Sequence, residues 1–109
     1  MAKRFDLFLQ QGSDASFRVV LSNVDLTGFS AAMQLRRTPA SQIAVDELTT
    51  GNGRLQILDS RTILVTFPHE KTETFPESLV YDLEIQSGCG KITRVLQGQI
   101  RVSREVTRV

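Results

Sequence analysis

The sequence predicts an all-β domain, a sandwich or a barrel, and three observations carry that expectation. Apolar and polar residues alternate with a period of two through nearly every segment. Turn-forming residues recur at short, regular spacing. No stretch shows the three-to-four-residue apolar period of an amphipathic helix. With 109 residues the chain makes one domain, 1–109, long enough to bury a core without covalent staples.

The elements follow in order. Phe5, Leu7 and Leu9 alternate with Asp6 and Gln10, and "GSDA" turns the chain. Phe17, Val19 and Leu21 form the next inward set. "NVDLTGF" holds turn residues around Leu26 and Phe29, and Ala31, Met33 and Leu35 then share a face. Pro39 marks a turn or an edge, and Ile43 with Val45 reads as a short strand. "TTGNGR" is a loop, since glycine accepts conformations closed to other residues. Leu55 and Ile57, "DSRT", then Ile63, Val65 and Phe67 read as a hairpin. "PHEKTETFPES" breaks the alternation and reads as a crossover with one helical turn, its Phe75 tucked onto the core. Leu79, Tyr81, Leu83 and Ile85 make a long strand. After "SGCG", Ile92, Leu96, Ile100 and Val102 share a face with Gly98, where a bulky neighbour needs the space. This makes about eight or nine short strands, mostly antiparallel because their connections are short.

Composition narrows the function more by exclusion than by assignment. Apolar residues are 40% and charged residues 23% of the chain, and the net charge is +1. A basic excess on one face, as nucleic-acid binders carry, is not expected from charges that alternate in sign along the chain. Few aromatics and no tryptophan leave little for base stacking or for a sugar-binding face. No segment has the ~20 apolar residues of a membrane helix. The basic start "MAKRF" lacks the apolar run of a signal peptide. One cysteine makes no internal disulfide, so assembly in a reducing cytoplasm is expected.

The chemistry-bearing residues are sparse. Cys89 sits in "SGCGK", two residues from Lys91, without a histidine base nearby in sequence. A nucleophilic thiol wants such a base, so a plain hairpin turn is expected. His69, the one histidine, is followed by Glu70. One His and one Cys do not supply the three or four ligands of a zinc site. Asp14, Asp25, Asp46, Asp59 and Asp82 are scattered, mostly at turns or outward strand positions. "GNGR" lacks the Lys-Ser/Thr of a phosphate loop. No catalytic, metal or cofactor-binding residue is assigned, and no enzyme activity is expected.

Four segments carry a resemblance: Leu26 to Arg36, Gly51 to Phe67, "YDLEI" at Tyr81 to Ile85, and "RVLQGQIRVSREVTR" at Arg94 to Arg108. In this order the chain, from about residue 17 to 108, resembles small virion proteins of tailed phages and prophages. It is also similar to the N-terminal domain of phage upper baseplate proteins. The resemblance implies an antiparallel immunoglobulin-like β-sandwich without catalytic residues. It implies a structural or assembly role in the tail, baseplate or fibre-attachment region, in several symmetric copies. The partners would be other phage structural proteins, and neither nucleic acid nor membrane. The protein would be assembled in the bacterial cytoplasm and reside in the virion, as a stand-alone version of the module. A capsid decoration or head-completion protein is the structural alternative, and a receptor- or glycan-binding module the alternative of another class. Docking is expected at strand edges. The segments Lys3 to Gln10 and Arg101 to Val109 are the expected edges, with Arg101, Arg104, Glu105 and Arg108 as polar anchors. Off-face apolar residues Phe8, Val20, Leu58, Leu64, Val80 and Val95 are further contact candidates.

Overall fold

A computed structural model describes residues 2–106. Its strands are β1 (Lys3–Arg4), β2 (Leu7–Gln10), β3 (Ala15–Val20), β4 (Ser30–Arg36), β5 (Asp46–Thr49), β6 (Leu55–Ile57), β7 (Thr62–Phe67), β8 (Ser78–Gln86) and β9 (Ile92–Ser103). One helical turn, α1 (His69–Thr72), joins β7 to β8. The strands make two sheets. One runs β1-β9-β8-β4-β5, with β2 also on β9; the other runs β3-β7-β6. This is the strand order of an immunoglobulin-like sandwich, with β3, β7 and β6 in one sheet facing β9, β8, β4 and β5 in the other. The N-terminal segment lies on the free side of β9, in parallel, and leaves β3 at the edge of its sheet.

The period-two pattern becomes the core directly, because successive strand side chains point to opposite faces. Leu79, Tyr81, Leu83 and Ile85 of β8 meet Ala31, Met33 and Leu35 of β4 and Ile63, Val65 and Phe67 of β7 in one buried cluster. Burying each large apolar side chain contributes about 1.5–3 kcal/mol before entropy is counted. Phe67 is fully buried and meets Phe17 and Phe75 edge-on, at 6.1 and 6.3 Å between ring centres. The crossover is therefore pinned by Phe75, as its sequence suggests. Thr72 adds a polar pin: its hydroxyl donates to the Ser13 carbonyl (2.9 Å) and accepts from the Gly12 N–H (3.1 Å).

The structure corrects the sequence reading in four places. The strand expected at Ile43 and Val45 lies instead at Asp46–Thr49, and Ile43 is exposed. Ile92 leaves the inward face because Leu83 pairs with Leu96 while Glu84 pairs with Arg94, so Val95 is an extra residue in β9. Such a bulge exchanges the faces beyond it. Phe5 is exposed although Leu7 and Leu9 are buried. Here the chain departs from the ladder: the Asp6 carboxylate, not a main-chain carbonyl, accepts the Gln99 N–H (2.9 Å). The fourth correction concerns β9. Arg101 is paired on both sides, by Ser78 of β8 and Phe8 of β2; Val102 and Ser103 pair with Leu9 and Gln10 of β2, and the Val102 N–H also reaches the Glu77 carbonyl. Of the two segments expected as edges, the N-terminal one is an edge, whereas β9 lies inside its sheet; residues 107–109 lie outside the described residues.

Gly98 lies where the close approach occurs. A Cβ there would land on the Phe5 carbonyl, whose oxygen accepts a hydrogen bond from the hydroxyl of Tyr81, the β8 residue paired with Gly98. Burial, with the Asp6 charge nearby, pushes the Tyr81 pKa up to about 12. The folded phenol holds its proton more tightly than the unfolded one, so this group's contribution to stability is complete below pH ~10 and falls as the pH rises towards 12. Alkaline unfolding of Tyr81→Phe should lack that step.

Candidate docking surface

The four expected anchors fall in different places. Arg101 projects from the outer face of β9 with Phe8 beside it on β2, and both are exposed. Arg104 follows the strand and its Nη1 lies 3.0 Å from Glu77 Oε1. Glu77 also accepts the Val102 N–H through its carbonyl (2.9 Å). Phe8, Gln10, Glu77, Arg101 and Ser103 line a shallow groove of about 400 Å³. Arg101 thus lines the groove with the exposed Phe8 ring, while Arg104 reaches it only through Glu77. Glu105 is engaged elsewhere: its N–H donates to Gln11 Oε1 (3.0 Å) and its carboxylate lies against Gly12. The tail is tied to the β2–β3 turn as far as Glu105, while Arg108 lies outside the described residues. Arg104 and Glu77 are both well exposed, so their ion pair contributes at most about 1 kcal/mol.

Of the off-face apolar residues, Phe8 is 74% and Val20 69% exposed, and Leu58 is exposed as well. Leu64, Val80 and Val95 are half-buried. The outer face of the larger sheet has a second, shallow concavity of about 640 Å³, lined among others by Arg36, Asp82, Glu84 and Arg94. Its charges answer one another: Arg94 pairs with Asp82 (3.3 Å), and Arg36 donates to Gln34, which donates to Glu47.

The two candidate reactive side chains stand at opposite ends of β8, whose nine residues span about 30 Å. Cys89 is exposed in the β8–β9 turn, with the Ser87 hydroxyl 3.1 Å from its sulfur. That hydroxyl, with a smaller contribution from the Lys91 N–H, lowers the thiol pKa. The turn itself is closed by Ser87 and Lys91 main-chain bonds and by Gly90 at φ +93°. Cys89→Ser should therefore leave stability within about 0.5 kcal/mol of wild type in denaturant titrations; a larger loss would show that the thiol holds the turn.

His69 opens α1, where Asp14 Oδ1 accepts both its N–H (2.6 Å) and its ring Nδ1 (3.0 Å). Glu70 lies 3.2 Å from Nε2. The Asp14 hydrogen bond, then the charges of Glu70 and Asp14, raise the His69 pKa above 6.5. The same contacts, the main-chain bond first, lower that of Asp14. The His69 contribution to stability is present below pH 6.5 and is lost as the pH rises through its folded value. That of Asp14 is present above 3.8 and is lost as the pH falls through its own. NMR titration should place the His69 midpoint above 6.5, and Asp14→Asn should move it down; an unchanged midpoint would remove Asp14 as its cause. This pair clasps the crossover to the β2–β3 turn. No group of three or more His, Cys, Asp and Glu side chains placed to hold a metal occurs among the described residues.

No protein-family model matches the chain, and no curated protein shows significant similarity to it.

Proposed function

We propose that the chain is a non-enzymatic structural component of a tailed-phage virion, docking onto larger proteins of the tail, baseplate or fibre-attachment region in several symmetric copies. It is assembled in the host cytoplasm and carried in the particle. The observation that carries this reading is the Phe8 ring, 74% exposed beside Arg101 in the groove that Glu77 also lines. An exposed aromatic anchor beside an arginine is the kind of side-chain pair that dominates protein–protein contacts. The segments resembling small phage virion proteins supply the identity of the assembly.

The test is a Phe8→Ser, Arg101→Glu double variant. Both side chains are exposed, so the variant should fold with near wild-type stability. Supplied in place of the wild-type chain during particle assembly, it should be incorporated at least about tenfold less, since losing a central anchor costs 2 kcal/mol or more. Incorporation at the wild-type level would remove this surface from the contact.

A further inference from the structure

We propose that the open edge of β3 is a strand-addition site that takes an extended partner segment of alternating apolar and acidic side chains. This site is distinct from the Phe8–Arg101 surface and does not depend on the virion reading.

The main chain comes first. Among the described residues β3 is paired with β7 alone, in antiparallel register from Ala15↔Phe67 to Val20↔Thr62. Leu21 N–H donates to the Arg61 carbonyl (2.7 Å), so by the alternation of an antiparallel ladder the odd-numbered residues face β7. Ser16, Arg18 and Val20 therefore direct their N–H and C=O groups outward along the open edge. At six residues β3 is the longest of the edge strands; β2 and β5 have four each and β6 three. Its only charge is Arg18, which is little protection for an edge of this length.

The side chains set the partner's chemistry. Because the N-terminal segment sits on β9, the space between the sheets is open beside β3. A cleft of about 400 Å³ there is lined by Leu7, Phe17, Val19, Met33, Leu83 and Leu96. Phe5 and Val20 stand exposed at its mouth. A strand added to β3 would turn every second side chain into this cleft, next to Phe17 and Val19, where an apolar group fits. The charged residues of the lining are Lys3, Arg4 and Arg18, with no carboxylate among them. Asp6 answers Arg4 at 3.4 Å, and Asp59 lies near enough to sense Arg18 while being held by Arg61 and Thr62. Lys3 and Arg18 remain for the partner's carboxylates. A second copy fits worse, since pairing two β3 strands about a twofold at Arg18 sets like charges opposite each other.

The test uses the full chain and two capped peptides, Glu-Val-Glu-Val-Glu-Val and Lys-Val-Lys-Val-Lys-Val. The acidic peptide should bind saturably, shifting the amide signals of Ser16, Arg18 and Val20 and slowing their exchange with solvent. The basic peptide should bind at least about tenfold more weakly. Arg18→Glu should reverse the preference. Val20→Pro removes an outward N–H without touching the β7 ladder and should abolish amide protection in a chain whose other signals persist; Ser16→Pro makes the same test should Val20→Pro not fold. No binding, equal binding of both peptides, or shifts centred on Phe8 and Arg101 would overturn the proposal. Concentration-dependent protection of β3 without peptide would overturn it too, in favour of a second copy.

Discussion

Arg54→Ala should destabilise the fold by about 3 kcal/mol or more, the largest effect expected from any single polar residue here. Asp46 opens β5 on its inward side and is almost fully buried. Arg54 lies just before β6, in the other sheet, and meets both carboxylate oxygens at 3.1 and 2.7 Å. Its Nε also donates to the Thr66 carbonyl at 3.2 Å. The pair thus bolts one sheet to the other across the Gly-rich loop. A bidentate fork satisfies both partners, but truncating either leaves a buried charge alone, and that residual charge dominates the loss. Asp46→Ala should cost a similar amount. The double replacement Asp46→Leu, Arg54→Met should recover much of it, because it removes both charges together. Urea titrations of the three variants decide this. Additive losses in the double variant would show that the two residues act separately.

Gly98→Ala should cost about 1–3 kcal/mol, the range of an overpacked core, and Gly98→Val more. The position faces Tyr81 across β8, and the new methyl group has no space because the Phe5 carbonyl occupies it. The N-terminal strand must then move off β9. The loss should be local as well as global: amides from Lys3 to Gln10 should exchange with solvent faster than those of β8. Tyr81→Phe removes the hydroxyl that the Phe5 carbonyl accepts and should cost about 1 kcal/mol. The two substitutions disturb one contact, so their combined effect should be smaller than their sum. Uniform exchange across both sheets in Gly98→Ala would contradict this assignment.

Period-two alternation was enough to locate most strands and the core, because a half-buried strand writes its two faces into adjacent residues. It placed Phe75 and Tyr81 in the core correctly, and it marked Gly98 as crowded, although what crowds it is the Phe5 main chain and not a bulky side chain. It failed where the ladder itself is irregular. Ile92 follows the inward period in the sequence, and only the extra residue at Val95 turns it outward. Phe5 follows it too, and only the substitution of the Asp6 side chain for a main-chain acceptor releases it. At β5 the error was a register of one. Counting Ile43 and Val45 as inward hid Asp46, whereas counting Leu48 as inward sets a carboxylate on the core face and demands a cation. Arg54, just past "GNG", is that cation. At the candidate docking surface, the sequence supplied Arg101 and Phe8 but not their meeting. Strand pairing brings Phe8 against Arg101 across 93 residues of chain, and no local pattern records a parallel pairing at that separation. The β3 edge was equally hidden, since it follows from where the N-terminus docks and not from β3 itself.

The virion reading is tested most directly by asking whether the chain is in the particle. On this reading the encoding genome is that of a phage or prophage, whose gradient-purified particles can be analysed by quantitative mass spectrometry, with an epitope-specific label locating the chain by electron microscopy. The account predicts several copies per particle, with label at the tail, baseplate or fibre-attachment region. Absence of the chain from purified particles that otherwise carry their full set of structural proteins would contradict it.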